Sequence, residues 1–149
     1  MIQVLVQVAA GSGDRKIYNE RTLEFLETRR GTQPYPYPYG FIVGTSAEDG
    51  GAVDCYIITK ERLEAGATAE CEPIGLLEQH EGDEIDHKIL AALSGQQVEI
   101  TSELLKELQD FIYAIFAHAP EIHIRVGPIH ARETAVRYLQ GTNLHRSGV

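Results

Sequence analysis

The run Pro34-Tyr35-Pro36-Tyr37-Pro38-Tyr39-Gly40 constrains the chain more than any other seven residues. Proline at every second position removes backbone donors and fixes φ, so the segment can be neither helical nor the middle of a hydrogen-bonded ladder. It must run extended, which sets Tyr35 and Tyr39 on one side and Tyr37 on the other. A fold that accommodates it needs short strands on either side and no long helix near it.

The flanking sequence reads that way. Ile2, Val4, Val6 and Val8 alternate with Gln3, Leu5 and Gln7, the period of a half-buried strand. After a turn at residues 11–14, further strands are predicted over 16–19, 23–28, 41–43, 52–59, 71–78 and 87–93. From residue 102 to 118 the period becomes helical through Leu104, Leu105, Leu108, Phe111, Ile112, Ile115 and Phe116. Thr101 or Ser102 supplies the N-cap, and Pro120 ends the helix. One more strand at 122–126 and a closing helix at 128–140 follow, with a polar, mobile tail over 141–149. With 149 residues this is one domain spanning 1–149. The predicted class is α+β and mainly β: a small OB-like closed or curled β-barrel with two C-terminal helices packed on it.

The formal charge of -9 has an address. Residues 48–54 hold three carboxylates and residues 78–86 five, with no Lys or Arg in either window. Outside them the chain carries 14 acidic and 13 basic residues. Such a balance argues against a protein that grips nucleic acid or anionic membrane, and no basic groove supports an OB-type nucleic-acid module. Acidic loops are most often simply solvated. They are also what a hard divalent cation such as Mg²⁺ needs.

Other features are weaker. Cys55 and Cys71 lack metal-ligand spacing and read as buried reduced thiols, with a disulfide left open. The N-terminus has no basic n-region or cleavage pattern, and no stretch approaches the ~18 apolar residues of a membrane span. A cytoplasmic protein is expected. His80 and His87 flank the second acidic window, where surface positions are the simpler account and nitrogen ligands for Mn²⁺ or Zn²⁺ the alternative. No serine triad or Gly-rich phosphate loop is present.

Taken in order, Tyr35-Pro36-x-x-Tyr39-Gly40, Glu48-Asp49-Gly50-x-x-x-Asp54, Pro73-Ile74-Gly75 and Asp86-x-Lys88 resemble the landmarks of the family I (soluble) inorganic pyrophosphatases. The match covers about residues 16–90. The resemblance implies metal-dependent hydrolysis of pyrophosphate, with Mg²⁺ (or Mn²⁺) held by Asp49, Asp54 and Asp86 and assisted by Glu81. It puts Lys16, Arg29 (or Arg30), Tyr39 and Lys88 on phosphate, with Asp54, Lys88 and Tyr39 carrying catalysis, and implies a homo-oligomer. Cations neutralise a diphosphate and lower the pKa of water, and Lys and Arg complete the charge compensation.

Four departures stand against that pattern. The family's middle motif Asp, which orients or deprotonates the attacking water, is Gly51, and the following Pro is Ala52. The N-terminal strand Glu corresponds to Gln7. A late Tyr-Lys pair is replaced by the surroundings of Phe116-Ala117-His118. Slow turnover, or activity on another phosphoanhydride, is expected unless another carboxylate, such as Glu48, turns in. The rival reading is a non-catalytic protein of this scaffold that binds metal, phosphate or a protein partner.

Overall fold

The computed structural model describes residues 1–142. Its strands are β1 (Ile2–Val8), β2 (Arg15–Tyr18), β3 (Phe25–Arg29), β4 (Tyr39–Ile42), β5 (Asp54–Ile57), β6 (Thr68–Glu81), β7 (Glu84–Ile85), β8 (Lys88–Leu93) and β9 (Ile124–Ala131). The helices are α1 (Ser102–Ile115) and α2 (Arg132–Thr142). Strands pair in the order β1-β4-β5-β8-β6, and β6 pairs back onto β1, closing a five-stranded barrel. Closure leaves no free edge among those five strands. β7 and β9 extend β6, while β2 and β3 form a separate ribbon. The predicted barrel with two helices is the observed architecture.

Alternation along the strands builds two cores. Val4, Val6, Ile42, Cys55, Ile57, Cys71, Leu76, Ile89 and Ala91 come from all five barrel strands and fill the interior. Both cysteines are free and buried. The opposite face contributes Tyr39, Tyr56, Ile58, Leu77 and Leu90, which α1 covers with Leu104, Leu108, Phe111 and Ile112. Those four helix positions recur at helical spacing, and Thr101 caps the helix by accepting the Leu104 N–H at 3.1 Å. A register shift between Val6 and Val8 moves Val8 from the inner core to the outer one.

The proline run is neither helix nor strand; it bends at Pro36 and Tyr37 rather than running fully extended, and β4 begins at Tyr39. The Tyr35 N–H donates to Ser12 O at 3.0 Å, and Pro38 O accepts the Ile57 N–H at 2.9 Å. Gly40 follows because β1 passes against it: a Cβ there would lie 1.9 Å from Leu5 O. Gly40→Ala is therefore expected to cost about 3 kcal/mol, the upper end of overpacking penalties, read as a lower urea midpoint.

Some boundaries differ from the sequence reading. β6 runs on to Glu81 and turns through Gly82 (φ 62°) into β7, so the second acidic window is largely a hairpin rather than a loop. The predicted helix at 128–140 begins only at Arg132, because Pro128 lies inside β9. It sits where the pairing with β6 shifts register, between Val126 and Ile129, and a bulge on an edge strand tolerates a missing N–H. α1 stops at Ile115, earlier than expected. Residues 141–142 belong to α2 rather than to a mobile tail, and the rest of that predicted tail lies outside the described residues. Among the described residues no helix is long and apolar enough to cross a membrane.

Candidate active site

β5 and β8 are parallel neighbours with Asp54 opposite Lys88. Asp86 stands two residues before Lys88 and shares its face. Lys88 Nζ is thereby placed 2.7 Å from Asp54 Oδ2 and 3.0 Å from Asp86 Oδ1, with the lysine side chain only 7% exposed. Burial alone would push the Lys88 ammonium down, but Asp54 and Asp86 outweigh it and hold it above its ordinary value. Asp86 is raised, because its own burial outweighs the attraction of Lys88.

Around this triad is a cavity of about 260 Å³. Asp49, Asp54, Glu81 and Asp86 supply carboxylates to it, Arg15 and Lys88 cations, and Tyr35, Tyr39 and Tyr56 hydroxyls. Ile112, Ile115 and Phe116, from α1 and its C-cap, wall it on the apolar side. Larger grooves beside Tyr37 and Lys60, of about 640 and 950 Å³, include none of Asp54, Asp86 and Lys88. Tyr39 is buried, which holds its hydroxyl well above the usual range and keeps it a donor. Its ring lies 5.6 Å from the Arg15 guanidinium and 5.7 Å from Lys88 Nζ.

The geometry assembles Asp49, Asp54, Glu81, Asp86, Tyr39 and Lys88, and leaves other expected residues outside. Lys16 is not in the cavity wall: its ammonium donates to Ala65 O at 3.3 Å, on the face of β2 that looks toward the 64–67 turn. Alternation turns its neighbour Arg15 inward instead. Burial opposes the Arg15 charge, but Tyr39, Asp54, Tyr35 and Glu20 hold its pKa above the ordinary value. Its buried Nε has no hydrogen-bond partner among the described residues. Counting residues cannot phase a strand, so the sequence reading misses Arg15. Arg29 stands opposite Arg15 in the ribbon but pairs with Glu27, and Arg30 pairs with Asp14; both are exposed and outside the cavity wall. Tyr35 lines the cavity beside Tyr39, on the same side as expected, with ring centroids 5.3 Å apart. Tyr37 faces away as expected and donates to Glu107 at 2.6 Å, its hydroxyl pushed up to about 12 by burial and by that carboxylate.

The departures also acquire reasons. Gln7 is buried and its Nε2 donates to Lys16 O at 3.1 Å, tying β1 to β2; an ionised glutamate there could not donate. Glu48 accepts the Tyr138 hydroxyl at 2.9 Å and so points at α2, away from the cavity. His87 Nδ1 accepts the Gln79 N–H at 3.1 Å, and burial together with His80 lowers its pKa, so both leave that nitrogen committed to the backbone.

Whether such a wall suits a metal depends on its donors. They are hard oxygens: the four carboxylates and the Gln79 amide, whose buried Oε1 has no hydrogen-bond partner among the described residues. That set fits a hard divalent cation. Among the described residues no three His, Cys, Asp or Glu side chains already converge as a metal cage. Lys88 holds Asp54 and Asp86 in their place.

Fold and site together define an OB-like barrel protein with a mixed-charge cavity between its outer wall and a covering helix. Residues 9–134 match the family model described as inorganic pyrophosphatase. The chain belongs to the inorganic pyrophosphatase family. It is 30% identical over 129 residues to the inorganic pyrophosphatase of Aquifex pyrophilus, covering 81% of this chain and 73% of that protein. With the inorganic pyrophosphatase of Nanoarchaeum equitans the figures are 30% over 129 residues, 85% and 81%. Among solved structures, the inorganic pyrophosphatase from Neisseria gonorrhoeae superposes with a TM-score of 0.85 at 21% identity, covering 99% of this chain and 92% of that one. The enzyme from Thermus thermophilus gives 0.82 at 24%, covering 99% and 91%. At those identities the superpositions speak for the fold. The comparisons do not favour the non-catalytic reading.

Proposed function

We propose that this protein hydrolyses inorganic pyrophosphate to two phosphates with the help of Mg²⁺, Mn²⁺ being the alternative. The observation that carries the reading is the buried Lys88 between Asp54 and Asp86, facing Arg15 across one cavity. Asp49, Asp54 and Asp86 would hold the cation, with Glu81 on the adjoining hairpin. When bound, such cations neutralise phosphate charge and make water a stronger acid.

The chain's own groups account for the rest. Lys88 carries its positive charge on a nearly inaccessible side chain, and electrostatic stabilisation of a phosphate oxygen is stronger there than in bulk water. Arg15 offers the planar fork that pairs with phosphate oxygens. Tyr39, held protonated by burial, donates a further hydrogen bond. Ile112, Ile115 and Phe116 exclude water from one side and so strengthen each of these interactions. A homo-oligomer in the cytoplasm, with both thiols reduced, completes the proposal.

Phosphate release from pyrophosphate, with and without Mg²⁺ or Mn²⁺, tests it; absence of metal-dependent release overturns it. In the same assay Arg15→Ala is expected to raise KM about 10–100-fold, the worth of a charge-assisted pair. Lys16→Ala and Arg29→Ala are expected to move KM less than about threefold, since neither side chain lines the cavity.

A further inference from the structure

Gly51 leaves the loop without a carboxylate between Asp49 and Asp54, and the fold brings one to that position from elsewhere. We infer that Glu20 orients the attacking water and accepts its proton, a role that rests on the pyrophosphate reading above.

Glu20 stands in the turn between β2 and β3. Asn19 Oδ1 shapes that turn by accepting the Arg21 and Thr22 N–H groups at 3.0 Å each, and Leu23 takes a left-handed φ of 65°. From there Glu20 Oε1 reaches across 32 residues of sequence to accept the Ala52 N–H at 3.0 Å. The same oxygen lies 3.6 Å from the point a Cβ on Gly51 would occupy, and Asp49 Oδ1 lies 3.4 Å from that point. Two carboxylates from distant parts of the chain thus flank one small space at Gly51. Glu20 is also one of the charges that hold the cavity's Arg15 protonated, so its field reaches the phosphate-facing wall.

Two other side chains that the sequence offers for the task are engaged elsewhere. Glu48 is turned toward Tyr138, and Gln7 is neutral and bonded to Lys16 O. Glu20 is exposed, and among the described residues it enters no ion pair. In the step it serves, a water proton passes to the Glu20 carboxylate while the water oxygen forms the new P–O bond. The bridging P–O bond breaks, its electron pair leaves on the departing phosphate, and the proton then passes from Glu20 to that phosphate or to solvent.

The test compares the full chain with Glu20→Gln, Gly51→Asp and the double variant, using pyrophosphate and Mg²⁺. Glutamine keeps an oxygen for the Ala52 N–H but loses the charge. Glu20→Gln is expected to lower kcat about 100-fold, with KM within about threefold of the parent. Gly51→Asp, whose Cβ meets only ordinary contacts, is expected to restore at least about tenfold of that loss while adding little to the parent, a non-additive pair. Mg²⁺ affinity by calorimetry is expected to stay within about threefold in Glu20→Gln. A kcat close to the parent's overturns the inference. So does a loss that Gly51→Asp fails to restore, which would make Glu20 a brace for the loop, and so does a collapse of Mg²⁺ affinity, which would make it a ligand. If the parent itself releases no phosphate, the pyrophosphatase reading falls, and this one with it.

Discussion

Asp54→Asn is expected to lower kcat/KM for pyrophosphate by on the order of 10³, about 4 kcal/mol of transition-state stabilisation. Asparagine has nearly the same shape, so the change is one of charge. Asp54 is 2.7 Å from Lys88 Nζ and lines the cavity with Asp49 and Asp86, so its removal weakens both the proposed cation site and the orientation of the lysine. Lys88 keeps Asp86 at 3.0 Å, and the fold is expected to lose no more than about 1–2 kcal/mol. Phosphate release assayed beside a thermal melt separates the two effects. An Asp54→Asn variant that kept more than roughly a tenth of parent activity would show that Asp54 is no part of the machinery.

Lys88→Met has the largest expected effect on stability. The ammonium is nearly inaccessible and neutralises two carboxylates that are themselves only 20% and 23% exposed. Removing one partner of such a set leaves uncompensated buried charge and costs about 3–5 kcal/mol, roughly 10 °C in Tm for a chain of this length. The effect should depend on pH. Lys88 binds its proton more tightly in the folded state, so in the parent its contribution is complete below the unfolded lysine value and constant across neutral pH. Asp86 is already raised by burial, and in Lys88→Met it loses the lysine that opposed that rise. A raised carboxylate binds protons better folded than unfolded, so the variant should regain stability as pH falls from about 7.5 toward 5. Millimolar Mg²⁺ should return part of the lost Tm at neutral pH, because a cation that binds only the folded state stabilises it. A variant melting within about 2 °C of the parent at a pH of about 7.5 would contradict the pairing.

These two residues show how far the site was legible in the sequence. Asp86 and Lys88 are two apart in the chain, so their common face follows from local geometry alone. The landmark order around Asp49 and Asp54 pointed to a loop and a strand that line the cavity. The phosphate side was less legible. The segment before β2 has no period that says whether Arg15 or Lys16 looks inward, and only the docking of the ribbon on β1, through Gln7 and Lys16 O, decides it. Glu20 was invisible for a related reason: its contact with Ala52 spans 32 residues and leaves no spacing signal.

By itself, the sequence determined what local physics controls. Alternating apolar residues make strands with two faces, and the proline run excludes helix. Thr101 and the Leu104, Leu108, Phe111, Ile112 series make a capped amphipathic helix. The tertiary structure alone decided that β5 and β8 lie parallel, which puts Asp54 beside Lys88, and that β6 pairs back onto β1 to close the barrel. It also kept Pro128 in a strand, since pairing with β6 outweighs a proline's local preference for opening a helix. The division has one cause. Pairing between distant strands is chosen by which combination buries both faces at once, and that is a property of the whole chain rather than of any stretch within it.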